Sequence, residues 1–471
     1  MTQTNSLNYA LAGLDVTRAR IDTVARNISN AQTDGYTDKI SSATVGALGQ
    51  VQLGPVTRNV DEQLLSAFND SSATVNQLSV QVNLLSQIET SFGTPSSDSS
   101  LAAAITNLQN AFQDLSVNPE QGSLYNSVLD AANSVARNLN SLSQTVATTN
   151  SQASIQIGQS VTTVNETLQE INEANNQIVA ATGSSIDVND ELDQRDQLIA
   201  KLSGIMDITT FQKPNGAIAV YTTDGKPLVD NSVASISAVG NQIDWNSPPS
   251  APSPIRISTG TLGGLQTLQN QTLPGIQAQL DDFARGLTVE FNNINIPLFN
   301  DGGSTPLQGT NPALPISIGN PVNPVQLNGY AGRIAVNAAV LATPTILRDA
   351  NSPVPLAPGD TTNIQQALNL FNRTNIAFNG ATGLDANGSL VQVATDFIAA
   401  QSALRANAQS SLTNEQTLQQ TIANKISAQS GVNVDNEVAQ LATLQNSYSA
   451  NARVLQTNQD LFTTLFNAIS G

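Results

Sequence analysis

The sequence contains neither cysteine nor histidine. Without cysteine the chain can form no disulfide, no thiolate nucleophile and no cysteine-based metal site. Without histidine it lacks the commonest general base, the Ser-His and Cys-His nucleophile systems and the HExxH zinc motif. We therefore expect a protein that is not an enzyme, with no catalytic residues, no cofactor and no metal.

Charged residues are also scarce, at 11% of the 471 residues, against about 25% in ordinary soluble proteins. The formal net charge of −18 leaves no basic patch that could neutralise nucleic-acid phosphates or an anionic membrane surface. No run of about 18 apolar residues is present, so we expect no membrane insertion. Residues 1–11 lack both a basic start and a continuous apolar run, so no cleaved signal peptide is expected.

Both ends of the chain carry apolar residues at intervals of seven. This repeat keeps one narrow stripe on one side of a helix, as a coiled-coil seam requires, and the partners would be each other or the termini of neighbouring subunits. The second seam position, beginning at Leu11 and Val438, is only weakly apolar. We expect these helices to be marginal alone and to fold on assembly. The predicted assembly seam consists of Leu7, Leu14, Ile21, Ile28, Val434, Leu441, Tyr448, Leu455, Phe462 and Ile469.

Two other interpretations concern the same helices. The stripes are compatible with ordinary packing of two helices within one globular chain. Polar residues at or beside the seam could be tolerated sites, or they could set the register between subunits through hydrogen bonds, at some cost in stability. These residues are Gln445, Gln459, Asn451 and Asn458.

The middle of the chain predicts an α+β protein, in which the N- and C-terminal regions form a long helical coiled-coil or bundle rod with an inserted, mainly antiparallel β domain. Apolar spacing is helical before Gly204 and has a period of two after it, with turn signals at residues 214–216 and 224–225. The predicted domains are 1–40, a terminal helical segment; 41–203, an irregular or extended connector (41–59) and long helical bundle; 204–362, the β insert with a returning helix at about 261–295 and a strand-like stretch at 297–358; 363–430, the rest of the bundle; and 431–471, a C-terminal coiled-coil helix.

Five acidic residues cluster near the end of the first bundle: Asp187, Asp190, Glu191, Asp193 and Asp196. A calcium loop would need a glycine at its sixth position and a closing glutamate, and this spacing has neither. The better interpretation is a helix start, with acids near its positive end and a Glu191–Arg195 pair at i,i+4.

Two terminal motifs resemble a known family. Residues 27–36 read NISNAQTDGY, similar to the N-I-A-N-x-x-T-x-G-Y signature of bacterial flagellar rod, hook and hook-associated proteins. Residues 430–437 (SGVNVDNE) and 448–455 resemble the C-terminal signature of the same axial proteins. The internal stretches 192–196 and 273–284 are similar to hook-associated members. The motif positions are Asn27, Asn30, Thr33, Gly35, Tyr36, Gly431 and Asn433.

The resemblance implies a structural adaptor at the hook–filament junction, whose paired terminal helices form an inner tube. It implies as partners further copies of the chain, the hook protein, the second hook–filament junction protein, an export chaperone and the flagellar type III export apparatus. It also implies an extracellular location in the flagellum, after export without a cleaved signal peptide.

Two alternatives stay open. The chain could be another axial protein, such as hook protein or the second junction protein. From a different class, the β insert could hold a carboxylate-based hydrolase that uses Asp224, Asp230 and Asp244.

Overall fold

Helices dominate the computed structural model, which describes residues 2–470 apart from 47–48, 95, 183–186, 249, 302–328, 351–353, 375, 377 and 386. The helices of the described part are α1 (Thr2–Asn30), α2 (Glu62–Phe92), α3 (Leu101–Val117), α4 (Gly122–Thr182), α5 (Asn189–Ile205), α6 (Gly260–Thr267), α7 (Leu273–Asn293), α8 (Ala338–Ala342), α9 (Ile346–Asp349), α10 (Thr362–Asn372), α11 (Leu390–Ser430) and α12 (Val434–Ser470). None of these helices is both long enough and apolar enough to cross a membrane.

The strands are short and antiparallel, as the expected α+β class requires. They are β1 (Lys39–Val45), β2 (Val51–Arg58), β3 (Ile208–Gln212), β4 (Ile218–Thr222), β5 (Pro227–Val229), β6 (Ser235–Val239), β7 (Gln242–Asn246), β8 (Ser253–Pro254), β9 (Phe299–Asn300) and β10 (Ala335–Val336). Among the described residues they form the hairpin β1–β2, the antiparallel pair β9–β10 and two three-stranded sheets, ordered β3-β4-β5 and β6-β7-β8.

The body of the molecule is a bundle organised around α4. Its 61 residues span about 90 Å at 1.5 Å per residue, and one side of it carries buried apolar residues from Val128 to Ile178. Helix α11 packs antiparallel to α2, and α3 and α5 pack on α4. At the centre, the Phe291 ring of α7 lies 5.9 Å from both Phe112 and Phe371. The core of the described residues is therefore one continuous cluster that extends from the bundle into the β insert.

The two predicted turns of the insert are present, with Gly216 at φ 87° and Gly225 at φ 79°, a region that favours glycine. The Trp245 indole donates a hydrogen bond to the Pro227 carbonyl oxygen at 2.7 Å, which ties the two three-stranded sheets together. Trp245 itself is buried in the core.

The connector 41–59, expected to be irregular or extended, is mostly extended in its described residues and belongs to the β1–β2 hairpin. A second sequence expectation needs correction. The predicted strand-like stretch 297–358 contains, outside the undescribed residues 302–328 and 351–353, only the short strands β9 and β10 and the short helices α8 and α9. Alanine and leucine favour a helix at residues 338–342, and Asn337 caps it by accepting a hydrogen bond from the Ala339 amide at 3.0 Å.

Candidate assembly surface and the buried polar joint beside it

Helices α1 and α12 pair antiparallel, and three contacts fix their register. The Ser6 hydroxyl donates to the Asn458 side-chain oxygen at 3.2 Å. A Cβ on Gly13 would lie 2.9 Å from the Asn451 amide nitrogen. The Asn27 amide donates to the Glu437 carboxylate at 3.2 Å. Because the contacting positions step by seven or fourteen residues on both helices, the pair has the repeat of an antiparallel coiled coil.

The seam between these helices is mainly polar or small. The positions 6, 13 and 27 of α1 are Ser, Gly and Asn, and they meet Asn458, Asn451 and Glu437 of α12. The same register places Arg20 opposite Leu444, and Ala10, Thr17 and Val24 are buried between these layers. Such a seam specifies register and orientation but buries little apolar area.

The predicted apolar stripes have the correct period but lie beside this seam instead of in it. Side chains of Leu7, Leu14, Ile21 and Ile28 are only partly buried. On α12, Val434, Tyr448 and Phe462 are each at least 40% exposed, Leu441 and Leu455 are partly buried, and the side chain of Ile469 lies outside the described residues. We call the described members the terminal apolar flank. On a helix with a seven-residue repeat, residues seven apart form several parallel columns along the axis, and any of these columns could face the partner helix. The contacts of Asn27 and Asn458 show that the polar column faces the partner here.

The second predicted seam position is also displaced. Leu11 is 44% exposed and Val438 is 51% exposed, and both Gln445 and Gln459 are exposed. Of the four polar residues proposed to set register, Asn451 and Asn458 therefore face α1 within the chain, and the two glutamines do not.

Asn27 is the centre of a buried polar joint, defined here as Asn27, Tyr36, Lys39, Arg58, Asp193, Asp196 and Glu437. The Asn27 side chain is 1% exposed. Its amide nitrogen donates to the Lys39 carbonyl at 2.9 Å and to Glu437, and its oxygen accepts from the Lys39 amide at 3.2 Å and the Tyr36 hydroxyl at 3.0 Å. One side chain thus connects the end of α1, the start of β1 and the first turns of α12.

Asp193 of α5 holds the same region to the body. Its carboxylate forms a buried ion pair with Lys39, accepts from the Thr37 hydroxyl at 2.7 Å and pairs with Arg58 at 2.8 Å. Arg58 also contacts Asp196 at 2.8 Å. Because Lys39, Arg58, Asp193 and Asp196 each contact an opposite charge, this part of the joint avoids the cost of an isolated buried ion.

The expected Glu191–Arg195 pair is absent. Arg195 instead donates to the Asp196 carboxylate at 3.0 Å and to the Gly216 carbonyl at 3.0 Å, because it turns inward toward the β insert. Asp193 and Asp196 lie on the inward face of α5, where they meet Lys39 and Arg58. In the described residues, no group of three or more acidic side chains has an arrangement that could hold a metal ion.

The family motif forms the turn that links α1 to this joint. The Thr33 amide donates to the Asn30 carbonyl at 2.8 Å, and the Tyr36 amide donates to the Thr33 carbonyl at 3.1 Å. Gly35 has φ 75°, and a Cβ there would clash with the side chain of Gln197. The motif therefore ends the helix and redirects the chain into β1, while Tyr36 packs back toward Asn27.

The C-terminal motif forms the matching turn between α11 and α12. The Asp38 amide donates to the Ser430 carbonyl at 2.9 Å, so this turn lies against the start of the hairpin. A side chain at Gly431 would clash with the Ser427 carbonyl. The Asn433 side chain accepts from the Asn436 amide at 3.2 Å, which caps the start of α12.

Burial shifts several pKa values in and around the joint. It raises the pKa of Tyr36 to about 12, with a smaller contribution from Asp190, so the hydroxyl stays a donor. Burial also raises the pKa of Glu437, against the opposing hydrogen bond from Asn27. For Arg58, burial acts to lower the pKa, but Asp196 and Asp193 outweigh it and the pKa is raised.

The three carboxylates considered for a hydrolase have separate structural contacts. Asp224 accepts from the Arg256 amide at 2.8 Å. Asp230 pairs with Lys213 and accepts from the Tyr221 hydroxyl at 2.9 Å. Asp244 lies on β7, and one of its oxygens is buried without a hydrogen-bond partner. No described contact joins the three into one constellation.

Comparison with known proteins gives two family models and several relatives. The model described as "Flagellar hook-associated protein FlgK helical domain" matches residues 85–297, and "Flagellar basal body rod FlgEFG protein C-terminal" matches residues 423–468. Flagellar hook-associated protein 1 of Salmonella typhimurium is 24% identical over 98% of this chain and 99% of that protein. The Escherichia coli protein of the same name is 25% identical over the same shares.

A solved structure shares the fold. The flagellar hook junction protein FlgK from Burkholderia pseudomallei superposes with a TM-score of 0.61 at 16% identity, over 76% of this chain and 99% of that one. The paired terminal helices, the two terminal motifs and these matches define an axial protein of the bacterial flagellum. Within that class, the chain is similar over 98% of its length to flagellar hook-associated protein 1 of Salmonella typhimurium and Escherichia coli, and residues 85–297 match the helical domain of that protein.

Proposed function

We propose that this chain is a non-enzymatic adaptor of the hook–filament junction, and that its terminal helices join the wall of an axial tube. The observation that carries the proposal is the position of the terminal apolar flank. In the single chain, α1 and α12 meet mainly through polar and small residues. The leucines and isoleucines of the flank are only partly buried, and Val434, Tyr448 and Phe462 are at least 40% exposed. Covering that surface with neighbouring subunits supplies about 25 cal/mol per Å² of apolar area.

The proposed partners are further copies of the chain, the hook protein on one side and the second junction protein on the other. Charge supports this assignment, because residues 1–40 hold four acidic and four basic side chains and balance to zero within a chain of net charge −18. Low self-repulsion at the terminal segment favours close contact between identical subunits.

We further propose that the chain reaches the extracellular flagellum through the flagellar type III export apparatus, with an export chaperone and without cleavage of a signal peptide. A chain that passes unfolded through a channel must not be cross-linked, and this sequence has no cysteine. The polar seam also makes the α1–α12 pair weak before assembly, because it buries little apolar area. Both properties suit folding at the site of incorporation.

The test is substitution within the terminal apolar flank. Leu14→Asp and Leu455→Asp should leave the body folded and the chain secreted but abolish its incorporation and the motility of the cells. The matched controls are Asn8→Asp and Gln445→Asp, which add the same charge at exposed positions of the same helices. Motile flagella that contain either leucine variant at normal occupancy would overturn the proposal.

A further inference from the structure

Near its tip, one face of the β1–β2 hairpin is apolar and remains exposed among the described residues, and we call this part the outer face. Ala43 pairs with Leu53 and Val45 pairs with Val51 in register, and paired residues point to the same side of a hairpin. Val45 is 75% exposed, Leu53 45% and Val51 38%. Residues 40–45 and 51–57 include no charged side chain, so this face also lacks the charges that usually protect an exposed strand pair.

The same face is buried at the base of the hairpin. Lys39 and Ser41 alternate with Ala43 and Val45 along β1 and therefore share their face, but they are buried, and Lys39 belongs to the polar joint. Because an isolated two-stranded hairpin is marginally stable in water, this polar attachment alone leaves the outer face to be stabilised by something else.

The hairpin lies along α1 at a defined height. Its base is at Asn27, through the hydrogen bonds to Lys39, and its tip reaches the Tyr9 hydroxyl, which would lie 3.8 Å from a Cβ on Gly49. In the register of the helix pair, this stretch of α1 is level with the part of α12 that begins at Glu437. That part of α12 carries Val438 and Tyr448, whose side chains are 51% and 43% exposed.

We propose that the outer face of the hairpin packs on the exposed side of α12 of a second copy of this chain. The outer face of the hairpin and the exposed side of α12 lie at the same height along the helix pair, and both are uncovered in one molecule. Two copies placed side by side in the same orientation would therefore bury the hairpin face of one copy against α12 of the other. Such a contact joins two different patches and repeats from copy to copy, which is how a ring or a helical array is built. This inference rests on the proposed tube-forming function and names the surfaces that meet in it.

The absence of cysteine makes the test direct. Leu53→Cys combined with Tyr448→Cys should give disulfide-linked multimers of the chain in isolated flagella after mild oxidation. The matched control, Thr44→Cys with Tyr448→Cys, places the hairpin cysteine at an exposed position that pairs with Gln52 on the other face, and it should give only background cross-linking.

A second measurement separates this inference from the proposed function. In assembled flagella, single Leu53→Cys and Leu455→Cys chains should both lose reactivity toward a bulky maleimide. Protection at position 455 with full labelling at position 53 would overturn the hairpin contact and leave the adaptor function intact. Cross-links from position 53 to a different flagellar protein would also overturn it. Labelling at both positions, with no chain at the junction, would contradict the adaptor function itself.

Discussion

Asn27 provides the sharpest test of the polar joint, because the same motif contains a natural control. Asn27→Ala removes the partners of the Lys39 amide and carbonyl, the Tyr36 hydroxyl and the Glu437 carboxylate. Each buried polar group left without a partner costs roughly 1–3 kcal/mol. Water can reach the half-buried Tyr36, so we count mainly Lys39 and Glu437 and expect a loss of about 3 kcal/mol.

The loss should be local and visible by hydrogen exchange. Since about 1.4 kcal/mol corresponds to a factor of ten in an equilibrium constant, protection of the first turns of α12 should fall roughly a hundredfold in Asn27→Ala. Asn30→Ala is the control, because the Asn30 side chain donates at an exposed site to the Arg26 carbonyl of its own helix at 3.0 Å. It should cost less than about 1 kcal/mol. Equal effects of the two substitutions, or unchanged protection in Asn27→Ala, would refute the proposed joint.

Three further predictions follow from the helix pair and its turn. The pKa of Glu437 is raised in the folded chain, so its contribution to stability is most favourable below its unfolded pKa and is lost as the pH rises through its folded pKa. Glu437→Gln should therefore flatten this part of the pH dependence of hydrogen exchange in α12. An unchanged pH profile would count against this role of Glu437. Asn451→Leu should raise protection of α12, while the exposed Gln445→Leu should not; equal changes would contradict the observed seam. Gly35→Ala should lower the unfolding midpoint in urea more than Gly383→Ala. Both glycines have positive φ, but only a Cβ at position 35 would clash with a neighbouring side chain, that of Gln197. Equal midpoints for the two variants would exclude this role of Gln197.

Local patterns made part of this architecture predictable. The seven-residue period at both ends, the turn at Gly35 and the change of period after Gly204 each depend on residues close in sequence, and each indicated the correct class of element. The face of α1 that meets α12 was not predictable in this way. It is selected by contacts such as Ser6–Asn458, whose members are 452 residues apart.

The buried polar joint was missed for a related reason. The sequence places Asp193 near a helix start, and acids near a helix N-terminus have a sufficient local explanation. Its partners Lys39 and Arg58 lie 154 and 135 residues away. A usable signal was present in the composition, since only 18 basic residues serve the whole chain. Lys39 and Arg58 both follow the N-terminal motif closely. In a sequence so poor in charge, two such basic residues indicate specific ion pairs with acidic side chains elsewhere in the chain.

The arrangement of the terminal pair also constrains how assembly can proceed. If α1 and α12 were stable by themselves, the lowest free energy would place leucine and isoleucine in their shared seam and asparagine outside. In this chain Asn27, Asn451 and Asn458 occupy the seam and most leucine and isoleucine side chains lie beside it. The bond from Asn27 to Glu437 prevents the helices from rotating to exchange the two columns. The apolar side chains can therefore be covered only from outside the pair. It follows that the polar joint does more than end two helices: by fixing their rotation, it determines which surface each subunit presents to the next.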